Sequence, residues 1–260
     1  MGSLAGKSPK DTYKSLLKVT DETNGVTSSV SVIQDGNGSD TCLSVSERSL
    51  KVNPSADNTS TFEVENSSGN NLLTVDSSNS VVKLGSTQTA ANTQLLEFHA
   101  KTLVPSSSGT HMFVGRGLSP YFGSAVELAN GTGTDPGTTY DGGATTDDLL
   151  QNLFIVPINL TIDAVKFMVS TITDTDCTIN VHLYSFDMTN AGGTSDGNLT
   201  NGTLLANGQA AAVDRNVIKT IDCSIDSSSV SAGEVIACFV ENETNTDSIM
   251  LQTQVLYHFD

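Results

Sequence analysis

The stretch from Tyr13 to Gly85 most constrains the fold, because it is a ladder of very short apolar pairs separated by polar residues. The two side chains of each pair are two positions apart, so they leave the same face of an extended strand. The residues between pairs are mostly Asn, Asp, Gly, Ser and Thr, which form turns. The pairs are Leu17-x-Val19, Val30-x-Val32, Leu43-x-Val45, Leu50-x-Val52, Phe62-x-Val64, Leu73-x-Val75 and Val82-x-Leu84.

This ladder has too few apolar groups for one chain to close a core. It could bury them by stacking along an axis and sharing the interior with other copies, as in a fibre shaft. Two blocks, 16–36 and 62–85, look like loose repeats of one unit. The alternative is a polar, partly disordered arm. The predicted shaft interior consists of Leu17, Val19, Val30, Val32, Phe62, Val64, Leu73 and Val75.

The C-terminal half predicts longer strands. Cys177-x-Ile179-x-Val181-x-Leu183 and the stretch from Ile249 to Phe259 alternate apolar and polar residues, and Val235 to Val240 is apolar at nearly every position. The latter pattern is typical of a strand buried on both faces. The polar loops between these runs favour an antiparallel β-sandwich or jelly roll over residues 110–260. We expect Val181, Leu183, Phe239 and Val255 to be buried.

The segment between the two regions is ambiguous. Residues 94–100 could form a short helix or a strand, and Pro105-Ser-Ser-Ser-Gly109 is typical of a linker. The sequence therefore predicts a β-repeat shaft over 21–88, a linker or neck over 89–109 and the sandwich beyond it.

The net charge of −17 disfavours nucleic acid and anionic membranes as partners, since both attract basic surfaces. Residues 1–104 carry 8 basic and 11 acidic side chains, net −3, whereas residues 105–260 carry 4 and 18, net −14. There is no apolar run of about 20 residues that would insert into a membrane. The four cysteines lack metal-site spacing and are interpreted as small buried hydrophobic residues.

No group of residues predicts catalysis. The four histidines are scattered, and His182 and His258 alternate with core residues, so they should face away from the apolar side of their strands. No Ser/His/Asp arrangement and no distinctive carboxylate pair can be assigned. We therefore expect no enzymatic activity, no catalytic residue, no metal site and no cofactor.

Residues 7–19, Lys-Ser-Pro-Lys-Asp-Thr-Tyr-Lys-Ser-Leu-Leu-Lys-Val, carry a resemblance to a known group of proteins. Val32-Ile-Gln-Asp-Gly-Asn-Gly38, then Cys42-Leu-Ser-Val-Ser46, and later Phe62-x-Val-x-Asn-x-x-Gly69 with Leu72-Leu-x-Val75, continue it. Together they resemble tail-fibre-like virion proteins of tailed phages, especially marine ones. The likeness spans roughly residues 7–85 and carries over no catalytic residue.

The resemblance implies a homotrimeric β shaft and an N-terminal segment, 1–20, that docks on other virion proteins of the capsid or tail. The protein would then lie on the virion surface as a short fibre, a spike or a decoration protein. Four lysines in this segment suit an acidic docking surface, and its large apolar side chains have no partner in the ladder. The predicted docking residues are Lys7, Pro9, Tyr13, Leu16 and Leu17.

A second function stays open, that of a module that binds a carbohydrate or another host receptor in cell-surface attachment. Tyr121, Phe122 and Tyr140 lie in loops and are the candidate glycan contacts, because aromatic rings stack on sugars. The absence of tryptophan weakens this alternative.

Overall fold

A computed structural model describes residues 16–21, 23–85, 89–116, 128–141, 149–173, 175–189 and 198–260. The protein is all-β, and every strand pair in it is antiparallel. The chain divides into two compact units, Met1–Ala91 and Asn92–Asp260. This confirms the predicted fold class, an antiparallel β protein with a C-terminal sandwich.

The N-terminal unit contains two four-stranded sheets, each with its strands in sequence order. Their strands are only 2 to 6 residues long, as the short apolar pairs predict. The first sheet consists of β1 (Lys18–Val19), β2 (Ser31–Gln34), β3 (Asp40–Val45) and β4 (Leu50–Val52). The second consists of β5 (Phe62–Glu65), β6 (Asn71–Asp76), β7 (Val81–Leu84) and β8 (Thr89–Ala90).

Each sheet contains the same kind of hairpin turn. In the β2–β3 turn the Asp35 carboxylate accepts a hydrogen bond from the Ser39 amide at 2.8 Å, and Gly38 has a φ of +85°. In the β5–β6 turn the Asn66 side-chain oxygen accepts one from the Asn70 amide at 3.0 Å, and Gly69 has a φ of +77°. An Asp or Asn five residues before the strand resumes, with a left-handed glycine between, closes both turns locally.

The C-terminal unit is built from two sheets with an apolar layer between them. The six-stranded sheet contains β10 (Met112–Val114), β11 (Leu153–Ile155), β13 (Cys177–Thr189), β14 (Asn198–Val213), β16 (Ser224–Ile225) and β18 (Val235–Asn242). The five-stranded sheet contains β9 (Gln94–Leu103), β12 (Leu160–Thr171), β15 (Lys219–Asp222), β17 (Ser229–Val230) and β19 (Ile249–Phe259). The main orders are β10-β18-β13-β14-β16 and β15-β12-β19-β9.

Strand β18 lies between β10 and β13 and is buried over its whole length. Ile236, Cys238 and Val240 contribute to the core between the sheets. Val235, Ala237 and Phe239 belong to a second apolar cluster on the other face of the same sheet. The prediction of a strand buried on both faces is thus confirmed, as is the burial of four residues: Val181, Leu183, Phe239 and Val255.

The structure corrects the predicted linker over 89–109. Strand β9 pairs with β19 along most of its length, and Leu96 and Phe98 are 4% and 0% exposed. Pro105 is also buried, and the Gly109 amide donates to the Asn242 carbonyl at 2.8 Å. The sandwich therefore begins at Asn92, within this segment, since β9 completes the five-stranded sheet.

Two smaller observations complete the fold. The cysteines are free, and Cys177 and Cys238 are buried as predicted, whereas Cys223 is half-buried and Cys42 is exposed, contrary to the prediction. Within the described part of the chain, no helix has both the length and the apolar character needed to cross a membrane.

Candidate functional site

The second N-terminal sheet carries a continuous apolar face, here called the shaft face. Phe62 lies opposite Val75, which lies opposite Val82, and Val64 lies opposite Leu73, which lies opposite Leu84. Residues directly opposite each other in a sheet project from the same face. The shaft face is therefore two rows of three apolar side chains: Phe62, Val64, Leu73, Val75, Val82 and Leu84.

This face is largely uncovered in a single chain. Phe62 is 43% exposed and Leu84 is 46% exposed. The opposite face is the better buried of the two, with Thr74 at 2% and Asp76 at 0%. The sheet thus exposes its apolar face, whereas a surface sheet of a monomeric protein normally exposes its polar face.

An ion pair fixes the polar face of this sheet. The Asp76 carboxylate accepts hydrogen bonds from Lys83 Nζ at 2.8 Å and from the Asn79 side chain at 2.9 Å. These bonds, that from Lys83 above all, lower the pKa of Asp76 to about 2. Asp76, Asn79 and Lys83 on this side of the sheet therefore interact with one another.

The first N-terminal sheet departs from the predicted shaft interior. Val19 lies opposite Ile33, so Val32, the preceding residue of β2, leaves the sheet on the other face, opposite Ser44. The sequence ladder predicts that Val32 shares a face with Val19. The pairing of Val19 with Ile33 shows that it does not. The register shift beside Ile33 lies in the pairing of β2 with β3 and does not change this assignment. The four predicted interior residues of the second sheet do share one face.

The predicted docking and glycan residues are only partly within the described chain. Leu16 and Leu17 are exposed, at 52% and 67%. Tyr140 is half-buried and packs edge-on against Phe113, with ring centroids 4.9 Å apart, as part of the second apolar cluster. Five predicted residues lie outside the described residues: Lys7, Pro9, Tyr13, Tyr121 and Phe122.

A separate group of polar side chains lies on the outer face of the six-stranded sheet. Glu241 of β18 is opposite Asn180 of β13, which is opposite Gln209 of β14. His111 immediately precedes β10, whose Met112 is opposite Val240, so His111 comes beside Glu241. His182, two residues after Asn180, adds a second imidazole on the same face. We call His111, His182 and Glu241 the histidine cluster.

The histidine cluster is buried, with its three residues 0%, 6% and 3% exposed. One atom of each that could bind a metal lies within 4.8 Å of the other two. His111 Nε2 is 2.8 Å from the Gly133 carbonyl oxygen and 3.7 Å from Glu241 Oε2. His111 Nδ1 and both ring nitrogens of His182 are buried without a hydrogen-bond partner.

The surroundings of His182 favour its neutral imidazole, and a chain of amides holds the side chain of Glu241. Burial, and then the nearby His111, lower the pKa of His182 to about 4, although Asp135 opposes this change. Asn180 Nδ2 donates to Glu241 Oε2 at 3.0 Å, and Gln209 Nε2 donates to Asn180 Oδ1 at 2.9 Å. This chain of amides orients the Glu241 carboxylate from the side of the sheet.

The segment 128–141 covers the cluster from the other side. The His111 amide donates to the Gly131 carbonyl at 3.0 Å, and the Asn130 amide donates back to the His111 carbonyl at 2.8 Å. Gly137 packs so closely that an added Cβ would lie 2.8 Å from Asn130 Oδ1. This covering segment explains why His182 is buried although it faces away from the core between the sheets, as the sequence predicts. His258 also faces away, and bonds to Asp163 at 2.9 Å.

Sequence reasoning missed the histidine cluster. Its members are separated by 71 and 59 residues along the chain, and only strand pairing brings them together. One signal was present: Glu241 directly follows the apolar run that predicts a strand buried on both faces. A carboxylate at that position requires a buried polar partner.

An apolar cleft of about 370 Å³ lies beside β9, β12 and β19 of the five-stranded sheet. Among the described residues that line it are Met168, Ile218 and Met250, and none is Phe, Tyr or Trp. This lining does not provide the ring faces that stack on sugars.

Comparison with known proteins gives little. No protein-family model matches the chain, and no curated protein matches it. The chain is similar in structure to the CBM22-1 xylan-binding domain of Paenibacillus barcinonensis Xyn10C, with a TM-score of 0.25 and 10% identity, over 63% of this chain and 92% of that one. It is also similar to a chain of infectious bursal disease virus, Gx strain, with a TM-score of 0.23 and 8% identity, over 68% of this chain and 43% of that one. Neither likeness carries an argument about function.

Proposed function

We propose that this protein is a non-enzymatic structural protein of a phage virion, a homotrimeric short fibre, spike or decoration protein. The observation that carries the proposal is the shaft face, an ordered apolar surface that one chain leaves uncovered. The tail-fibre-like sequence pattern over residues 7–85 agrees with it. The partner is a second and a third copy of the chain, joined through their N-terminal sheets.

The energetics favour association through this face. Burying a whole Val, Leu or Phe side chain contributes about 1.5–3 kcal/mol, so each half-exposed member of the shaft face contributes about 1 kcal/mol. Phe62, Val64, Val82 and Leu84 are each at least 40% exposed, and every added copy buries its own four. Repetition of one face around an axis closes the assembly, because each copy presents the same surface.

The charge distribution favours the same end of the chain. Residues 1–104 carry a net −3 and residues 105–260 a net −14, from 8 basic and 11 acidic residues against 4 and 18. Copies of the acidic sandwich repel one another, whereas the nearly neutral N-terminal half does not. Association through the N-terminal sheets therefore avoids most of the repulsion between copies.

A pair of substitutions tests the assembly. Phe62→Ser with Val64→Ser places two hydroxyls on the shaft face and should convert the trimer to monomers. Glu63→Ser is the matched control, because Glu63 lies between them in β5 but projects from the other face, where it accepts from Asn71 at 2.9 Å. Sedimentation velocity should show dissociation of the double variant and an unchanged control. A double variant that sediments like the original protein would contradict the proposal.

Docking on the particle is assigned to the N-terminal segment. Leu16 and Leu17 are exposed ahead of β1, so they are available to other virion proteins of the capsid or tail. Removing residues 1–12 and replacing Tyr13, Leu16 and Leu17 by Ser should abolish co-sedimentation with particles. Circular dichroism and sedimentation of the free protein should remain unchanged. Normal occupancy on particles would place the anchor elsewhere.

The two activities that the proposal excludes are also testable. Incubation with host envelope polysaccharide should release no reducing sugar; release that a single Asp or Glu substitution abolishes would make the protein an enzyme. The glycan-binding alternative draws no support from Tyr140, whose ring packs against Phe113. Glycan binding that Tyr140→Ala eliminates would favour that alternative instead.

A further inference from the structure

We propose that His111, His182 and Glu241 bind a divalent transition-metal ion, with zinc as the best fit, and that this ion fastens segment 128–141 to the sandwich. The inference concerns the sandwich alone and does not depend on the proposed role of the protein in a virion. It departs from the sequence-based expectation, which assigned no metal ligand.

Two histidines of the cluster contain buried ring nitrogens that have no hydrogen-bond partner. Buried polar atoms in folded proteins almost always have a hydrogen-bond partner, and an exception calls for an explanation. Here three unpartnered ring nitrogens, His111 Nδ1 and both nitrogens of His182, occur in two imidazole rings whose centroids are 5.1 Å apart. A metal ion would use the lone pair of one such nitrogen in each ring.

The candidate ligand atoms of the cluster lie close to one another. Zinc binds His nitrogen and carboxylate oxygen at about 2.0–2.2 Å, so ligand atoms around a tetrahedral ion are about 3.3 Å apart. In the cluster one candidate ligand atom of each residue lies within 4.8 Å of the other two. Small side-chain rotations, without any movement of the strands, would close the set around an ion.

Hydrogen bonds to neighbouring groups hold His111 and Glu241 in place. A histidine that binds metal commonly donates its other N–H to a carbonyl, and a carboxylate ligand is itself hydrogen-bonded. The Gly133 carbonyl can only accept, so His111 Nε2 carries the proton in their 2.8 Å bond and Nδ1 keeps the lone pair. Asn180 supplies the corresponding bond to Glu241. These contacts orient the ligands before any ion binds.

The donor set selects the metal. Two imidazoles and one carboxylate suit zinc and its transition-metal neighbours, whereas calcium and magnesium prefer sets of oxygen atoms. Asp135 Oδ1 lies 3.7 Å from His182 Nδ1 and belongs to the covering segment. It is positioned to supply a fourth ligand, which would tie segment 128–141 directly to strands β10, β13 and β18.

Zinc binding to the full chain tests the inference. Metal-free protein, prepared with a chelator, is titrated with zinc chloride, and bound zinc is measured by plasma mass spectrometry after gel filtration. We expect about one zinc per chain and a melting temperature that rises with zinc concentration. His182→Ala and Glu241→Gln should each weaken zinc binding at least 10-fold. Asn180→Ala should weaken it about 10–100-fold through the lost bond to Glu241.

Two controls keep the result interpretable. His99→Ala removes a histidine outside the cluster and should retain the zinc of the original protein. Glu241→Gln keeps the shape of the side chain and an oxygen that accepts from Asn180, so its fold can be verified by circular dichroism. Failure of the original protein to bind zinc at micromolar concentration, or equal binding by folded Glu241→Gln, would overturn the inference.

Discussion

The two units of this protein use the same antiparallel strands to opposite effect. In the sandwich, β18 is buried on both faces, and Phe239 is 0% exposed. In the second N-terminal sheet the corresponding aromatic residue, Phe62, is 43% exposed on a face made only of apolar side chains. The sandwich has a second sheet and a covering segment for its two faces. Among the described residues, nothing comparable covers the shaft face, where Phe62 and Leu84 are 43% and 46% exposed.

Strand length accounts for this difference. The central sandwich strands β12, β13, β14, β18 and β19 have 8 to 16 residues, enough to bury several side chains on each face. The N-terminal strands have at most 6, and each contributes only one to three apolar side chains. A small sheet of this kind is stable only when its hydrophobic face is packed. We therefore expect the sandwich to fold alone and the N-terminal unit to fold stably only with other copies.

The largest expected effect separates the two aromatic residues. Phe239→Ala should destabilise the sandwich by about 3–5 kcal/mol, because it leaves a cavity beside Phe113 and Phe186. Phe62→Ala should leave the sandwich transition unchanged and reduce only the stability of the assembly. Differential scanning calorimetry of the two variants makes this comparison. A sandwich transition that Phe239→Ala does not lower would break it.

A smaller effect is expected at two glycines, with a different cause in each unit. A Cβ at Gly202 would lie 2.5 Å from the Phe186 ring and 2.9 Å from Thr138 Cα, so Gly202→Ala should cost about 1–3 kcal/mol through overpacking. Gly69 has open space but a φ of +77°, so Gly69→Ala should cost about 1–2 kcal/mol through backbone strain.

Substitution by asparagine distinguishes the two causes. Gly69→Asn should be better tolerated than Gly69→Ala, because asparagine adopts the left-handed conformation more readily. Gly202→Asn should be worse than Gly202→Ala, since the larger side chain has no room. Equal responses at both positions, measured by urea unfolding, would show that packing density does not differ between the units.

The smallest effect is the pH dependence that Asp76 gives to the stability of the N-terminal unit. The pKa of Asp76 is lowered from 3.8 to about 2, chiefly by the hydrogen bond from Lys83. The charged carboxylate therefore stabilises the folded sheet above about pH 4, and this stabilisation is lost as the pH falls toward 2. Asp76→Asn should remove this dependence, leaving the N-terminal transition less stable at pH 5 and flatter below it. An identical acid response of the variant and the original protein would contradict the assignment.

The sequence predicted what depends on local pattern. Alternation located β13 and β19, the continuous apolar run located β18, and the Asp35 and Asn66 turns follow from turn chemistry. Segment 89–109 was misassigned as a linker, because Pro105 and Gly109 also occur in ordered edges of a domain. The histidine cluster could not be predicted, since it depends on the register of three strands and on a covering segment far away in sequence.

The side of the sheet on which Val32 lies was equally beyond the sequence. The pattern Val30-x-Val32 suggests one face, but the pairing of Val19 with Ile33 assigns Val32 to the other. A shift of one residue in register reverses the face of every side chain in a strand. Short strands with few apolar residues specify their register weakly, so this kind of error is expected in the N-terminal unit and not in the sandwich.

The mass of the full-length protein in solution tests the central claim most directly. Multi-angle light scattering at micromolar concentration should give three times the 27.2 kDa of a single chain, because the shaft face requires other copies to cover it. The sandwich expressed as residues 92–260 should be monomeric under the same conditions. A stable, folded full-length monomer of 27.2 kDa would contradict the account.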